Sequence, residues 1–249
     1  PQSLRDPAAA RSDGPRHDLV SQSVSIDGVR CILLDIEGTT TPIAFVHDVL
    51  FSYARAHVRD YLAKHVAEEA VQKDLDLLRE ESANEGFSTN NIDEIVAYVN
   101  HLIDLDRKST GLKSLQGKIW REGYADASLK AQIFPDVAPA FARWRAKGVN
   151  VSIFSSGSVL AQQLLFAHTE AGDLTPFISQ YFDTNVGKKG EAESYRRIAA
   201  AMTLQPAEIL FVSDVVAELA AAREAGMKTA LSIRPGNQPQ DSPEQYRII

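Results

Sequence analysis

The chain has little of what would commit it to an oxidising compartment, a membrane or a nucleic acid. One cysteine, Cys31, stands in 249 residues, so no internal disulfide can form and the fold does not rely on an oxidising environment. Cys31 lies inside an apolar run, which predicts a buried, inert thiol rather than a nucleophile. No apolar stretch approaches the ~20 residues of a membrane span. The basic excess that nucleic acids and anionic membranes reward is missing too: 26 basic residues against 33 acidic ones give a formal net charge of −7. Small anionic substrates stay open, because a few local lysines and a metal ion decide those. The first residues lack the apolar core of a signal peptide, and Asp6, Asp13 and Asp18 fit a transit peptide badly. Residues 1–22, rich in Ala, Pro and Ser, read as a flexible leader. The expected location is cytoplasmic; scattered basic residues in the leader do not spell a nuclear signal.

What is present is a globular α/β pattern. A hydrophobic share of 44% suffices for a real core, and the length suits one domain carrying a sizeable insertion. Residues 29–34 are nearly all apolar and stop at Asp35 and Gly38, the signature of a buried parallel strand feeding a loop. Beyond about residue 130, short apolar runs (149–154, 209–212, 229–233) alternate with helical patterns (137–147, 159–166, 191–202, 216–225). Such alternation predicts a doubly wound, Rossmann-like parallel sheet covered on both faces. Residues 45–130 break the rhythm with helical stripes. Val49, Tyr53, Val58, Tyr61 and Leu62 make one; Ile92, Ile95, Val96, Val99 and Ile103 a second; Leu112, Leu115, Ile119 and Trp120 a third. The expected organisation is a core over 23–44 and 131–249, with a helical-bundle cap over 45–130 inserted after the first strand. The tail beyond Pro235 reads as loop.

Four short motifs follow from this layout. Asp35-Ile36-Glu37-Gly38-Thr39-Thr40, Phe154-Ser155-Ser156-Gly157-Ser158 and Ser213-Asp214-Val215 each lie where a parallel strand ends, the edge at which such sheets place their sites. Gly187-Lys188-Lys189-Gly190 adds basic charge. Each alone has a plain structural reading as a helix cap, a turn or a solvated basic loop. Jointly they bring carboxylates, hydroxyls, backbone amides and a lysine to one crevice. That inventory suits a phosphate and a hard cation: Asp35 and Asp214 as oxygen ligands, Ser155 with the amides of Ser156 and Gly157 for phosphoryl oxygens, and Lys189 as a balancing cation.

These residues resemble the haloacid dehalogenase superfamily, and more narrowly the enolase-phosphatases of methionine salvage. The nearest likeness is Leu34-Asp35-Ile36-Glu37-Gly38-Thr39-Thr40-Thr41-Pro42-Ile43-Ala44-Phe45-Val46. Glu37, where most phosphatases of the superfamily carry Asp, is characteristic of that branch. Leu115-Gln116-Gly117, Phe154 to Val159, Phe182-Asp183-Thr184, Glu193-Ser194-Tyr195-Arg196 and Arg234-Pro235-Gly236-Asn237 are similar as well. The likeness runs from about residue 28 to about 240; it departs at the long leader and at Ser52, where proline is expected.

The resemblance implies a haloacid dehalogenase-type core and one Mg2+ per chain. Asp35 would be the nucleophile that forms an aspartyl-phosphate, and Glu37 the general acid/base. Asp35, the backbone carbonyl of Glu37 and Asp214 would hold the metal; Ser155, Ser156 and Lys189 would bind the phosphate. Lys189 is chosen over Lys188 from its distance to Glu193-Ser194-Tyr195. The implied reaction is enolisation and dephosphorylation of 2,3-diketo-5-methylthiopentyl-1-phosphate to the acireductone, in a monomer without nucleic-acid or membrane partners. Which residue takes the carbon-bound proton stays open between Glu37 and a cap residue. Lys118, Trp120 and Tyr124 are cap candidates for substrate contact, with packing or a solvated face as the competing reading. Two rivals remain: another hydrolase of the superfamily (a phosphatase for another metabolite, a halide hydrolase, or a phosphonatase, whose Schiff-base lysine Lys64, Lys108, Lys113 or Lys118 could supply, none with a distinguishing context), and a catalytically silent phosphate-binding module.

Overall fold

The computed structural model describes residues 26–107 and 109–249; the expected leader over 1–22 and Lys108 lie outside the described residues. In chain order the elements are β1 (Cys31–Leu34), a π-helical segment (Phe45–Phe51), α1 (Ser52–His65), α2 (Glu69–Glu85), α3 (Ile92–Asp104), α4 (Thr110–Ala125) and α5 (Val137–Ala146). There follow β2 (Asn150–Phe154), α6 (Val159–Ala167), β3 (Ile178–Phe182), α7 (Ala192–Ala201), β4 (Ile209–Ser213), α8 (Val216–Glu224), β5 (Lys228–Leu231) and β6 (Arg247–Ile248). The strands form one sheet in the order β3-β2-β1-β4-β5-β6, every neighbouring pair parallel.

Successive side chains of a strand point to opposite faces, so β1 feeds two cores. Ile32 and Leu34 join Val151, Ile153, Leu210 and Val212 on one face, with Phe141 of α5 and Phe166 of α6 packed over them. Cys31 and Leu33 join Phe154, Ile209 and Phe211 on the other, under Tyr195 of α7 and Leu219 of α8. Burial on both faces is why β1 and β4 read as apolar runs, while β2 carries the buried Ser152 within its run. Cys31 is 1% exposed and burial pushes its thiol pKa up, in keeping with the expected inert residue.

Between β1 and α5 the chain is helical. Val58, Leu62, Leu75, Tyr98, Leu102 and Leu115, drawn from α1–α4, share a hydrophobic cluster of their own. Asn91 and Ser109 cap α3 and α4 by accepting from the amides of Glu94 (3.0 Å) and Leu112 (3.2 Å). At Ser52, where proline was expected, the backbone N–H donates to the carbonyl of Val49, a bond proline would lack.

Three elements escaped the sequence reading. Helix α2 carries its buried stripe at Val71, Leu75 and Leu78, among many charged residues that mask it in the sequence. Strand β3 sits at the sheet edge, pairs on one side only, exposes Ser179 and leaves Gln180 to Phe182 half-buried. The tail beyond Pro235 is not all loop: its last residues add β6 beside β5. None of the described helices is long and apolar enough to cross a membrane.

Candidate active site

The site begins where the β1 ladder ends. The amide of Asp35 donates to the carbonyl of Val212 at 3.0 Å, which carries the β1–β4 pairing one residue past the strand. The chain then turns tightly: the amides of Thr40 and Thr41 both donate to the carbonyl of Ile36, at 2.8 and 2.9 Å, and that of Gly38 to Thr41, at 2.8 Å. Gly38 has φ +70°, and a Cβ there would stand 2.3 Å from Oδ2 of Asp214. Glycine is thus required for the backbone of this loop to lie against Asp214. From the far side, Asn237 Nδ2 donates to the carbonyl of Gly38 (2.9 Å) and Arg234 Nε to that of Thr39 (3.2 Å). Arg234 is itself held by a bidentate pair with Asp136, both contacts 3.0 Å.

The sequence-named residues gather as follows. Asp35 and Asp214 are buried, at 5% and 6% exposure, at the ends of adjacent strands. Lys189 Nζ lies 2.6 Å from Oδ1 of Asp35. Lys188 instead points outward and pairs with Glu191 at 3.6 Å, so of the two adjacent lysines Lys189 is the one turned to the crevice. Tyr195 and Ser194 fix this turn by donating to the carbonyls of Lys189 and Lys188, each at 2.7 Å. Ser155 is buried at the end of β2, and its hydroxyl accepts from the amide of Gly157 at 3.2 Å. Ser158 caps α6 through the amide of Ala161 (3.3 Å). Gln162 ties the loop down, donating to the carbonyls of Gly157 and Phe182, both at 2.9 Å.

One residue was missed. Glu218 of α8 places Oε2 2.7 Å from Lys189 Nζ and accepts from the hydroxyl of Ser213 at 2.9 Å. An acid in the first turn of a helix is too common to stand out, and nothing in the sequence set Glu218 apart.

Asp35 and Glu218 therefore share one buried ammonium, and the buried Asp214 lies close enough to feel the charge of all three. Burial pulls the Lys189 pKa down, but Asp35 and Glu218 outweigh it and hold the ammonium above its ordinary value. Burial first, then the charge of Asp35, pushes Asp214 up to about 7 and raises Glu218. A cluster whose acids repel one another in this way is matched to a further cation. The donors are hard oxygens, which suit Mg2+. Among the described residues no group of three or more His, Cys, Asp or Glu side chains is placed to hold a metal. Asp35 and Asp214, side by side at the ends of β1 and β4, are the acidic donors such an ion would find here.

The side chain of Glu37 leaves this cluster and lines a cleft between the sheet edge and the helices above it. His47 Nε2 lies 2.9 Å from its Oε1. Ser155 and Ser156 line the same cleft, with apolar walls from Ile36, Leu50, Phe51 and Trp120. Of the cap residues singled out, only Trp120 reaches it, while its indole N–H donates to the carbonyl of Leu50 at 2.8 Å. Tyr124 packs against His168, and Lys118 pairs with Asp74 inside the helical cluster. Lys113, which nothing in the sequence set apart from Lys64 and Lys118, does line the cleft.

This sheet order and edge define a class. A model of the haloacid dehalogenase-like hydrolases matches residues 29–226, and the protein is a hydrolase of that kind. Enolase-phosphatase E1 of Synechococcus elongatus is 57% identical over 215 residues, covering 84% of this chain and 90% of that protein. Enolase-phosphatase E1 of Drosophila grimshawi is 46% identical over 226 residues, covering 87% and 91%. The crystal structure of UTR4 from Saccharomyces cerevisiae superposes with a TM-score of 0.74 at 34% identity, over 89% of this chain and 97% of that one. The chain belongs to the enolase-phosphatase family of these hydrolases.

Proposed function

We propose that the protein is a magnesium-dependent enolase-phosphatase of methionine salvage. It acts as a cytoplasmic monomer on 2,3-diketo-5-methylthiopentyl-1-phosphate and releases phosphate and the acireductone. The observation that carries this reading is the pairing of two acids in one loop with opposite surroundings. Asp35 is buried against Lys189 at 2.6 Å, whereas Glu37 opens into the cleft shared with Ser155 and Ser156. The first suits attack on phosphorus, the second proton transfer to and from the substrate.

In this mechanism Asp35 attacks the phosphoryl group and forms an aspartyl-phosphate, splitting one displacement into two. Glu37 protonates the leaving ester oxygen and later takes a proton from the water that frees Asp35. The hydroxyls of Ser155 and Ser156 and the amides of their loop hold phosphoryl oxygens at the start of α6. Lys189 keeps the excess negative charge at the β1–β4 edge in balance, and Glu218 fixes its ammonium. One Mg2+, held by Asp35, Asp214 and the carbonyl of Glu37, would supply electrostatic stabilisation of charge on the phosphoryl group. Residues 45–130 serve as a cap over the core of 23–44 and 131–249; its helices wall the cleft and exclude water.

Phosphate release from the diketone phosphate, with magnesium and with a chelator in its place, tests the reading. Rapid release that needs magnesium is expected. A protein that hydrolyses a generic phosphate ester while leaving this substrate intact would refute the salvage assignment and keep the core chemistry; no release from any ester would point to a silent binding module.

A further inference from the structure

Lys113, Gln116 and Trp120 fall at i, i+3 and i+7 on α4, one face of that helix, and all three line the cleft above Glu37. The ammonium of Lys113 reaches across from the cap to the core. It donates to the carbonyl of Ser156 at 3.0 Å and to Oγ1 of Thr184 at 3.2 Å. The cation thus stands beside the loop expected to take the phosphate, in a cleft whose walls are largely apolar. The other cations nearby are differently placed. Lys189 is committed to Asp35 and Glu218, at 2.6 and 2.7 Å, and does not line the cleft. Arg107 lines the cleft, but its guanidinium pairs with Glu85 at 3.0 Å and is 45% exposed.

We infer that Lys113 is a catalytic residue of the enolisation half-reaction, giving a hydrogen bond and then a proton to the carbonyl oxygen next to the ester carbon. The inference rests on the diketone-phosphate reading above and deepens it. The chemistry sets where the groups must be. The product is a dihydroxy enone, so the new double bond joins the ester carbon to its neighbouring carbonyl carbon. The C–H bond at the ester carbon breaks and its proton passes to the Glu37 carboxylate, which lies near because it also serves the ester oxygen. The freed electron pair forms the C=C bond, the carbonyl π pair moves onto oxygen, and that oxygen takes a proton from Lys113. Water restores the ammonium, and Glu37 holds the proton that the ester oxygen will need on leaving. Nothing is oxidised or reduced. A cation aimed at a developing enolate in a low-dielectric cleft stabilises it far more than water would.

The test compares two substrates: the diketone phosphate, followed by enol formation, and p-nitrophenyl phosphate, which has no carbonyl to enolise. Lys113→Gln keeps a donor for Ser156 and Thr184 but not the charge. Enol formation is expected to fall about 100-fold or more, and p-nitrophenyl phosphate turnover by less than about tenfold. Lys113→Cys alkylated with bromoethylamine regains an ammonium at this position, and Cys31, 1% exposed, is shielded from the reagent. Alkylation is expected to restore enol formation, which keeps the test decisive should the glutamine variant fail to fold. Equal losses on both substrates, or no selective restoration, would overturn the assignment and leave Lys113 as a tether of the loop. A wild-type protein that hydrolyses p-nitrophenyl phosphate yet never enolises the diketone overturns the substrate reading, and the role of Lys113 with it.

Discussion

Replacing Asp214 by Asn should make the metal-free protein more stable at neutral and alkaline pH while abolishing its magnesium response. Burial and the adjacent Asp35 raise the Asp214 pKa from 3.8 to about 7. A carboxylate with a raised folded pKa keeps its proton in the native state over a range where the unfolded chain has released it. Native stability therefore falls as pH climbs from about 4 through about 7, and the whole penalty is present above that. About three pH units at 1.36 kcal/mol each give a ceiling of ~4 kcal/mol. Asn fits the same space beside Gly38, carries no charge and does not titrate. Its buried amide loses some of the gain, about 1–3 kcal/mol if it finds no partner. A net stabilisation of roughly 1–3 kcal/mol is expected at pH 8, out of the ~5–15 kcal/mol typical of a folded domain. The assay is urea unfolding followed by circular dichroism, in chelator, at pH values from 4 to 8. The gap between variant and wild type should be small at pH 4 and widen with pH. Added magnesium should stabilise the wild type by about 2.7 kcal/mol at one hundred times its Kd and the variant far less. A variant less stable than wild type at pH 8, or a gap independent of pH, would refute the argument that Asp214 is held at a cost its function requires.

The remaining predictions concern the neighbours of Asp214. Asp35→Asn should leave the thermal transition in place and reduce phosphate release by about 10⁴-fold or more, as removal of a nucleophile does; residual turnover above a hundredth of wild type would exclude Asp35 from that role. Glu37→Gln should lower kcat by about 10²–10⁴-fold with little change in KM, and an unaltered kcat measured on the diketone phosphate would remove it from proton transfer. Lys189→Met leaves Asp35 and Glu218 buried without their shared cation, so a loss of about 3–5 kcal/mol in chemical unfolding is expected at neutral pH, shrinking on acidification as the acids take up protons.

The sheet's centre was legible in the sequence and its edge was not. Strands β1 and β4 are buried on both faces, and a short apolar run without polar alternation, bounded by turn residues, fits a central parallel strand; β2 shows the same run interrupted by Asn150 and Ser152. Strand β3, at the edge, exposes Ser179 and leaves Gln180, Tyr181 and Phe182 only partly buried, so its pattern resembles that of many loops; β6 has only two residues and takes its identity from β5 beside it. The carboxylates Asp35 and Asp214 could be named because a parallel sheet presents the ends of its central strands at one place, whatever the loops do. Between the adjacent Lys188 and Lys189 the distance to Glu193-Ser194-Tyr195 already pointed to Lys189, and the turn pinned by Ser194 and Tyr195 is what sends one to Asp35 and the other to solvent. What tertiary structure alone decided is direction elsewhere. Glu218 gained meaning only when α8 set it against the same ammonium. Lys113 and Lys118 are five residues apart on α4, about 140° around its axis. One faces the cleft and the other Asp74 of α2, and which is which depends on how the cap helices pack, because a helix's own sequence does not say what lies opposite each of its faces.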